Sequence, residues 1–266
     1  MFDPFGDFST EGYLRNFDKE KDPDIVKIAE HELFRAQLPE ALNYLAQKKR
    51  IEYADFLKVH QILFDGLYPW AGKDRAEILP NSAIRKKGLY FSHPSECRLA
   101  VSEGLSFAHD KKQMRNRPGF IMGLFAYGHP FLDGNGRTML LIHAEMCFRA
   151  NMSVNWLLTD KQAYLDALTK EIESPNDGHL DVYLKPFIEK QIPRENWLKS
   201  VAGMAGLDGI DVQPETTAGY SDPLTEKEYL EFERRRAYQF EKNHRVKSAF
   251  DTSLKEFDPL YKNLTK

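Results

Sequence analysis

The sequence predicts an all-α protein, and three observations carry that prediction. Apolar residues recur at the three- and four-residue spacing of a helix through most of the first 191 positions. One of these segments opens on Pro118, which suits a first helical position because no backbone donor is missed there. One longer stretch, 76–94, differs and has little helical period. The composition agrees: of 266 residues, 42% are hydrophobic and 29% charged, enough for a soluble chain to bury a real core.

Taken in order, 25–34 places Ile25, Ile28, Ala29, Leu33 and Phe34 at helical spacing. A second segment, 39–48, has Leu42, Leu45 and Ala46 on one side, and a third, 53–64, has Phe56, Leu57, Val59, His60, Leu63 and Phe64. Tyr68, Pro69, Trp70, Ala71 and Gly72 break the pattern: proline and glycine end the helix, and the aromatics anchor the turn. In 76–94, Ile78–Leu79 and Leu89–Tyr90–Phe91 flank the polar run Arg85, Lys86, Lys87, Gly88, which fits either a hairpin flap or an irregular surface loop. Helix returns at 94–109 and 118–127, gives way to a loop at 128–136, and resumes at 137–150. Residues 160–173 follow with Asp160 as cap, and 180–191 reads as the last core helix.

The domain organisation expected from this is a body at 1–192, with its core at 25–191, a linker at 193–222, and a charged helical C-terminal extension at 223–266. Four glycines, Pro214, Thr216 and Thr217 within 202–219 mark the linker. The extension interleaves Leu224, Tyr229, Phe232 and Phe240 with many charges; packing on its own core is the favoured reading, docking on a partner the other.

Several function classes are excluded. A net charge of -3 gives no bias towards nucleic acid or an anionic membrane surface. Two cysteines, Cys97 and Cys147, are too few for a disulfide scaffold or a zinc cluster and read as buried thiols of a reducing compartment. The acidic, aromatic residues 1–12 are unlike a signal peptide, and the longest apolar runs, such as 120–127, are too short to span a bilayer. The expectation is a cytoplasmic protein without a membrane span, with signal-less export left open.

The informative string is His129, Pro130, Phe131, Leu132, Asp133, Gly134, Asn135, Gly136, Arg137, set between two apolar helical segments. Gly134, Asn135 and Gly136 stand at a helix start, where the backbone turns tightly and the first amides point outward at the positive end of the dipole. That is an anion site, commonly for phosphate, and Arg137 adds a forked cation. Asp133 beside bound phosphates calls for a cation between them, and Mg²⁺ is the expected one. His129 is suited to accept a proton from an attacking hydroxyl. Phe131 is apolar within a polar loop and is expected to plug it into the core. Any one of these features alone is more often a turn, a cap or a structural histidine. Nine consecutive residues carrying all of them point to a phosphoryl- or nucleotidyl-transfer site.

The string resembles the signature of Fic-domain proteins, His-x-Phe-x-Asp/Glu-Gly-Asn-Gly-Arg-x-x-Arg, and matches it without a gap from His129 through Arg137. Upstream, Tyr68 to Arg75 resembles the Trp-Ala-Gly element that precedes the family's flap, here about 78–91; downstream, Tyr164 to Leu168 resembles the helix that helps close the base pocket. The resemblance implies an all-α Fic fold, a helical bundle around a central helix-loop-helix with a short β-hairpin flap. It also implies protein adenylyltransfer: AMP from ATP, with Mg²⁺, onto a Ser, Thr or Tyr hydroxyl of a target protein. His129 would be the general base, Asp133 the metal ligand, Gly134, Asn135 and Gly136 the anion hole, and Arg137 a phosphate ligand. Lys87, Gly88 and Leu89 of the flap would align the target by strand-like pairing, and a separate small inhibitor protein is an implied partner.

One position departs from the signature: its final arginine falls on Leu140. In the family that arginine contacts the terminal phosphate of ATP and receives the glutamate of an inhibitory helix. No Ser/Thr-x-x-x-Glu-Gly/Asn motif of that kind is present, which is consistent with Leu140. The lost contact is worth roughly 1.5 to 3 kcal/mol. It keeps two alternatives open: another donor such as UTP, or a nucleotide-binding regulator without transferase activity.

Overall fold

The computed structural model describes residues 2–86, 88–202, 217–220 and 227–238. The described residues are mostly helical, with two small sheets. A short helix α1 (Phe8–Glu11) leads into α2 (Pro23–Gln47) and α3 (Tyr53–Phe64), and α4 (Arg75–Ile78) precedes the flap. The flap strands are β1 (Ala83–Lys86) and β2 (Leu89–Tyr90). Then come α5 (Cys97–His109), α6 (Lys111–Asn116), α7 (Pro118–Gly128), α8 (Asn135–Arg149), β3 (Met152–Val154), α9 (Lys161–Glu173), α10 (His179–Leu184), β4 (Ile188–Lys190), α11 (Trp197–Ala202) and β5 (Thr217–Tyr220). Residues 227–238 form a further helix, α12.

The two segments expected at 25–34 and 39–48 are one continuous helix. Asp22 caps α2 by accepting from the Asp24 amide, and Pro39 lies inside it. An interior proline costs a helix about 3 kcal/mol. Here a single buried stripe, Val26, Glu30, Phe34, Leu38, Ala41 and Leu45, runs past it on both sides and holds the chain helical. The same stripe corrects the expected face: Ile25 and Ile28 point to solvent, at 52% and 62% exposure. α3 begins with a capping box, in which the Glu52 amide donates to the Asp55 carboxylate at 2.9 Å.

The last core helix is also shorter than expected. α10 stops at Leu184, a 3-10 turn carries Pro186, and the chain continues as β4, antiparallel to β3 through Met152 with Lys190, Ser153 with Glu189 and Val154 with Ile188. Pro186 has no amide to extend the hydrogen-bond ladder of α10, and just beyond β4 the Ile192 amide donates to the Ser153 hydroxyl of β3 at 3.1 Å.

α7 is the central element. All eleven of its residues are buried, and α5, α8, α9 and α10 pack around it. A helix apolar on every side belongs inside a bundle.

The flap is a hairpin, as one of the two sequence readings expected, pairing Arg85 with Tyr90 and Lys86 with Leu89. Lys87, expected to help dock a target, lies outside the described residues. The segment expected as a linker contains more structure than that name implies. In α11, Trp197 and Val201 are buried, and Arg194 just before it grips the buried Glu145 at 2.5 and 2.6 Å. β5 adds to the flap, giving the sheet order β2-β1-β5 with Ala83 opposite Tyr220 and Lys86 opposite Thr217.

α12 packs on the protein's own core. Tyr229 and Phe232 are 6% exposed, the Tyr229 hydroxyl accepts from the His93 amide at 2.8 Å, and Tyr127 donates to Glu233 at 2.7 Å. Leu224 and Phe240, also named as apolar positions of the extension, lie outside the described residues. Among the described residues no helix is long and apolar enough to cross a membrane.

Candidate active site

The loop between α7 and α8 is held rigidly at both ends. At its start, His129 adopts the left-handed conformation (φ 40°, ψ 58°), uncommon for a residue with a side chain. Arg75 stabilises that turn. Its guanidinium, fully buried, donates to the His129 carbonyl and to the Ser92 carbonyl, both at 2.7 Å, and its own amide donates to the Pro130 carbonyl at 2.7 Å. Ser92 completes the brace: its amide donates to the Tyr127 carbonyl and its hydroxyl to the Gly128 carbonyl, both at 2.9 Å.

The His129 ring lies flat on Phe91 of the flap, centroids 3.8 Å apart and 12° from parallel. Burial and the nearby charges of Arg75 and Lys86 push its pKa well below the usual histidine value, against a smaller opposing pull from Asp133. The imidazole is therefore neutral at physiological pH, the state a general base requires.

In the middle of the loop, Phe131 is fully buried, as its apolar character predicted. It stacks on His60 at 3.7 Å. Asn135 fastens the loop to itself, accepting from the Phe131 amide at 2.9 Å and donating to its carbonyl at 2.8 Å. The Asn135 side chain is thus a brace, and only its backbone amide remains for an anion. His60 accepts from the Gly72 amide through Nδ1 at 2.9 Å, so its Nε2 carries the proton and donates to the Asp133 carbonyl at 3.1 Å. Burial holds its pKa down at about 3, so it stays neutral. It is structural, as a lone histidine usually is.

At the far end, Gly134 precedes α8 at φ +74°; a Cβ there would sit 2.5 Å from Phe64 Cε2. The first intrahelical bond runs from the Thr138 amide to the Gly134 carbonyl at 3.0 Å, so the amides of Asn135, Gly136 and Arg137 have no acceptor within the helix. A Cβ on Gly136 would meet nothing within 4 Å. The helix start is therefore open at Gly136.

Beside it lies a charge cluster that the sequence reading did not anticipate. Glu30 of α2, fully buried, accepts from Arg137 Nη2 at 2.5 Å and from Lys27 at 2.9 Å. Lys27 also donates to Asp133 Oδ2, while Asp133 Oδ1 accepts from the Gly134 amide at 2.6 Å and faces Arg137 at 3.6 Å. Burial alone would raise the Asp133 carboxyl, but Lys27 and Arg137 hold it well below the usual carboxylate range. Burial likewise opposes the Lys27 ammonium, and the carboxylates of Asp133 and Glu30 outweigh it. Arg137 Nη1 is buried without a hydrogen-bond partner. An orphaned donor of this kind calls for an acceptor, and a phosphate oxygen fits it.

The same cluster decides how a metal ion would fare at Asp133. Both carboxylate oxygens are already engaged, Oδ2 by an ammonium and Oδ1 by an amide. The donor set therefore does not fit a divalent cation while Lys27 is in place.

The remaining expectations fare unevenly. Gly88 (φ +84°) forms the hairpin turn and Leu89 is buried beneath it. Leu140, where the signature carries arginine, is half-buried against the apolar core. Tyr164 belongs to another aromatic group, edge-on to Trp156 at 5.3 Å and 6.4 Å from Tyr183, with its hydroxyl buried and unpartnered. These contacts do not join it to the loop.

Sequence reasoning missed Lys27, Glu30 and Ser92. Glu30 had a signal: it interrupts the stripe Val26, Phe34, Leu38, and an acid on a buried face needs a partner. Arg75 was noted only as the end of the upstream element.

Residues 50–147 match the sequence profile of the Fic/DOC family. Over 111 residues the chain is 26% identical to the protein adenylyltransferase VbhT of Bartonella schoenbuchensis, a stretch that covers 40% of this chain but only 23% of VbhT. The fold is shared with the BepC effector protein of Bartonella tribocorum, whose crystal structure holds AMPPNP, with a TM-score of 0.56 at 18% identity, spanning 69% of this chain and 98% of that one. The N-terminal Fic domain of a Bartonella quintana effector, solved with ADP, aligns with the same TM-score and identity over 69% of this chain and 94% of its own.

Proposed function

Because the chain carries a Fic/DOC-family domain, we propose that it is a nucleotidyltransferase that moves AMP from ATP onto a hydroxyl of a target protein. One observation carries the proposal: a neutral imidazole, the open helix start and the orphaned Arg137 Nη1 stand at opposite ends of a single short, fully braced loop.

The chemistry follows from those groups. The amides of Asn135, Gly136 and Arg137, with Arg137 Nη1, receive the phosphate oxygens, and the α8 dipole favours their negative charge. A target hydroxyl oxygen attacks the α-phosphorus. His129 takes the hydroxyl proton, a P–O bond forms to the target, and the bond from the α-phosphorus to the oxygen bridging to the β-phosphate breaks. Diphosphate leaves with the electron pair. Pre-aimed donors at a rigid helix start stabilise the charge that grows on the phosphate oxygens without reorganising. Phe91 and Arg75 fix the ring and the backbone of His129, so the base is already oriented when the hydroxyl arrives.

The test uses ATP labelled at the α-phosphate, with cell lysate as a source of targets, run beside His129→Ala. Labelled protein is expected with the natural chain and about a hundredfold or greater loss in the variant, the usual scale for removing a general base. No protein label from either ATP or UTP would sink the reading.

Leu140 favours a second reading. With a half-buried leucine packed against the core where the signature has arginine, the terminal phosphate of ATP loses one cationic partner. A donor with a different tail, or nucleotide binding without transfer, is then supported. Calorimetry separates them: tight ATP binding without turnover supports the regulator, whereas turnover with another nucleotide supports the alternative donor.

A further inference from the structure

We propose that the Lys27 ammonium stands where the family's divalent cation would be expected, so that this site binds nucleotide phosphates without a metal ion. The inference rests on the nucleotide-transfer reading above and concerns how the same site shields its ligand from Asp133.

Three observations carry it. First, Lys27 contacts Asp133 Oδ2, the oxygen left free once Oδ1 has taken the Gly134 amide. Second, Lys27 is fixed rather than loosely placed: Glu30, three residues along the same helix and fully buried, accepts from it at 2.9 Å and anchors Arg137 through its other oxygen. Third, the pair is not sealed away. Lys27 keeps 14% and Asp133 18% of its side chain exposed, beside the open helix start at Gly136.

One task of a cation between Asp133 and the phosphates is to prevent a carboxylate from repelling them. A lysine performs it with a single charge that the fold carries permanently. The polar groups around that ammonium are Glu30, Asp133, Arg137 and, through electrostatics with this cluster, the Tyr68 hydroxyl. Two cations and two anions leave the cluster neutral, so an added divalent ion has no unbalanced carboxylate to bind. Removing Lys27 would expose one and recreate a metal-binding position.

The experiment is ATP titration by calorimetry in EDTA and in excess Mg²⁺, for the full chain and for Lys27→Met. For the natural chain, affinities within about threefold of each other in the two buffers are expected. For Lys27→Met, affinity in EDTA is expected to fall by about tenfold or more, the scale of a lost charge-assisted contact, and to recover largely in Mg²⁺. The proposal is overturned if the natural chain binds ATP only with Mg²⁺, or if Lys27→Met binds in EDTA as the natural chain does. Should Lys27→Met fail to fold, the two titrations of the natural chain decide alone. Absence of ATP binding by the natural chain in both buffers would overturn the transfer reading as well, whereas Mg²⁺-dependent binding overturns this inference only.

Discussion

Gly134 and Gly136 sit two residues apart, yet they have opposite relations to the fold. At Gly134 a methyl group would collide with Phe64 and the backbone is in the left-handed region. Gly134→Ala is therefore expected to cost about 2 to 4 kcal/mol, adding a left-handed strain to an overpacked core, as read from the urea midpoint. Gly136→Ala should leave that midpoint unchanged, because its methyl group meets nothing. On the nucleotide-transfer reading it should instead weaken ATP binding, since the methyl group would project into the open space beside the first α8 amides. Equal destabilisation by the two substitutions would contradict this account of the loop. Arg75 is the other residue with a sharp expectation. Arg75→Met strands the carbonyls of His129 and Ser92, each of which accepts from it at 2.7 Å. A loss of about 3 kcal/mol is expected, together with a fall in transfer, because the turn that aims the imidazole loses its clamp.

Among the elements, α12 is the one for which the sequence left two readings and favoured packing on the protein's own core. Its charge pattern allowed either its own core or a partner as the surface it meets. Tyr229 and Phe232 answer with 6% exposure each. Phe232→Ala should therefore lower the stability of the whole protein by about 3 to 5 kcal/mol, as for any buried phenylalanine. A variant as stable as the natural chain would mean that α12 does not dock as described. The helix-loop-helix of α7 and α8 was legible in the sequence because its determinants are contiguous: an all-apolar stretch, two glycines and a proline at a helix start. The continuity of α2 through Pro39 was not, because the force that overrides proline is burial of Leu38, Ala41 and Leu45 against other elements. For the same reason β4 was read as helix. The Lys27, Glu30, Asp133, Arg137 cluster joins residues about a hundred positions apart, and only Glu30 left a trace, as an acid in an apolar stripe. Tyr164, carried over by resemblance alone, packs with Trp156 and Tyr183.

For the whole molecule, the buried histidines set a pH dependence. His60 and His143 are fully buried, and burial pushes their pKa values down to about 3 and about 4. In the unfolded chain each titrates near 6.5. Below that pH the unfolded state binds more protons than the folded one, so stability falls as the pH drops from about 6.5 towards 4. At pH 5 each histidine is expected to cost roughly 1 to 2 kcal/mol relative to pH 7.5. Asp133, whose carboxyl is depressed, contributes stability that is lost only at more acidic pH, below the ordinary carboxylate value. Denaturant unfolding at pH 7.5 and pH 5 checks the slope; equal midpoints would contradict it. Catalysis should show no acid limb near pH 6.5, because His129 remains unprotonated there.

The outer edge of the flap is not vacant. β5 lies along β1 from Ala83 to Lys86, so the backbone groups that an extended target segment would seek are already matched by the protein's own chain. A visitor must first evict a resident, and its apparent affinity is discounted by how seldom that resident steps aside. Proline at Ala218, unable to donate to the ladder, should loosen the tenancy and raise labelling of an added peptide without touching the loop.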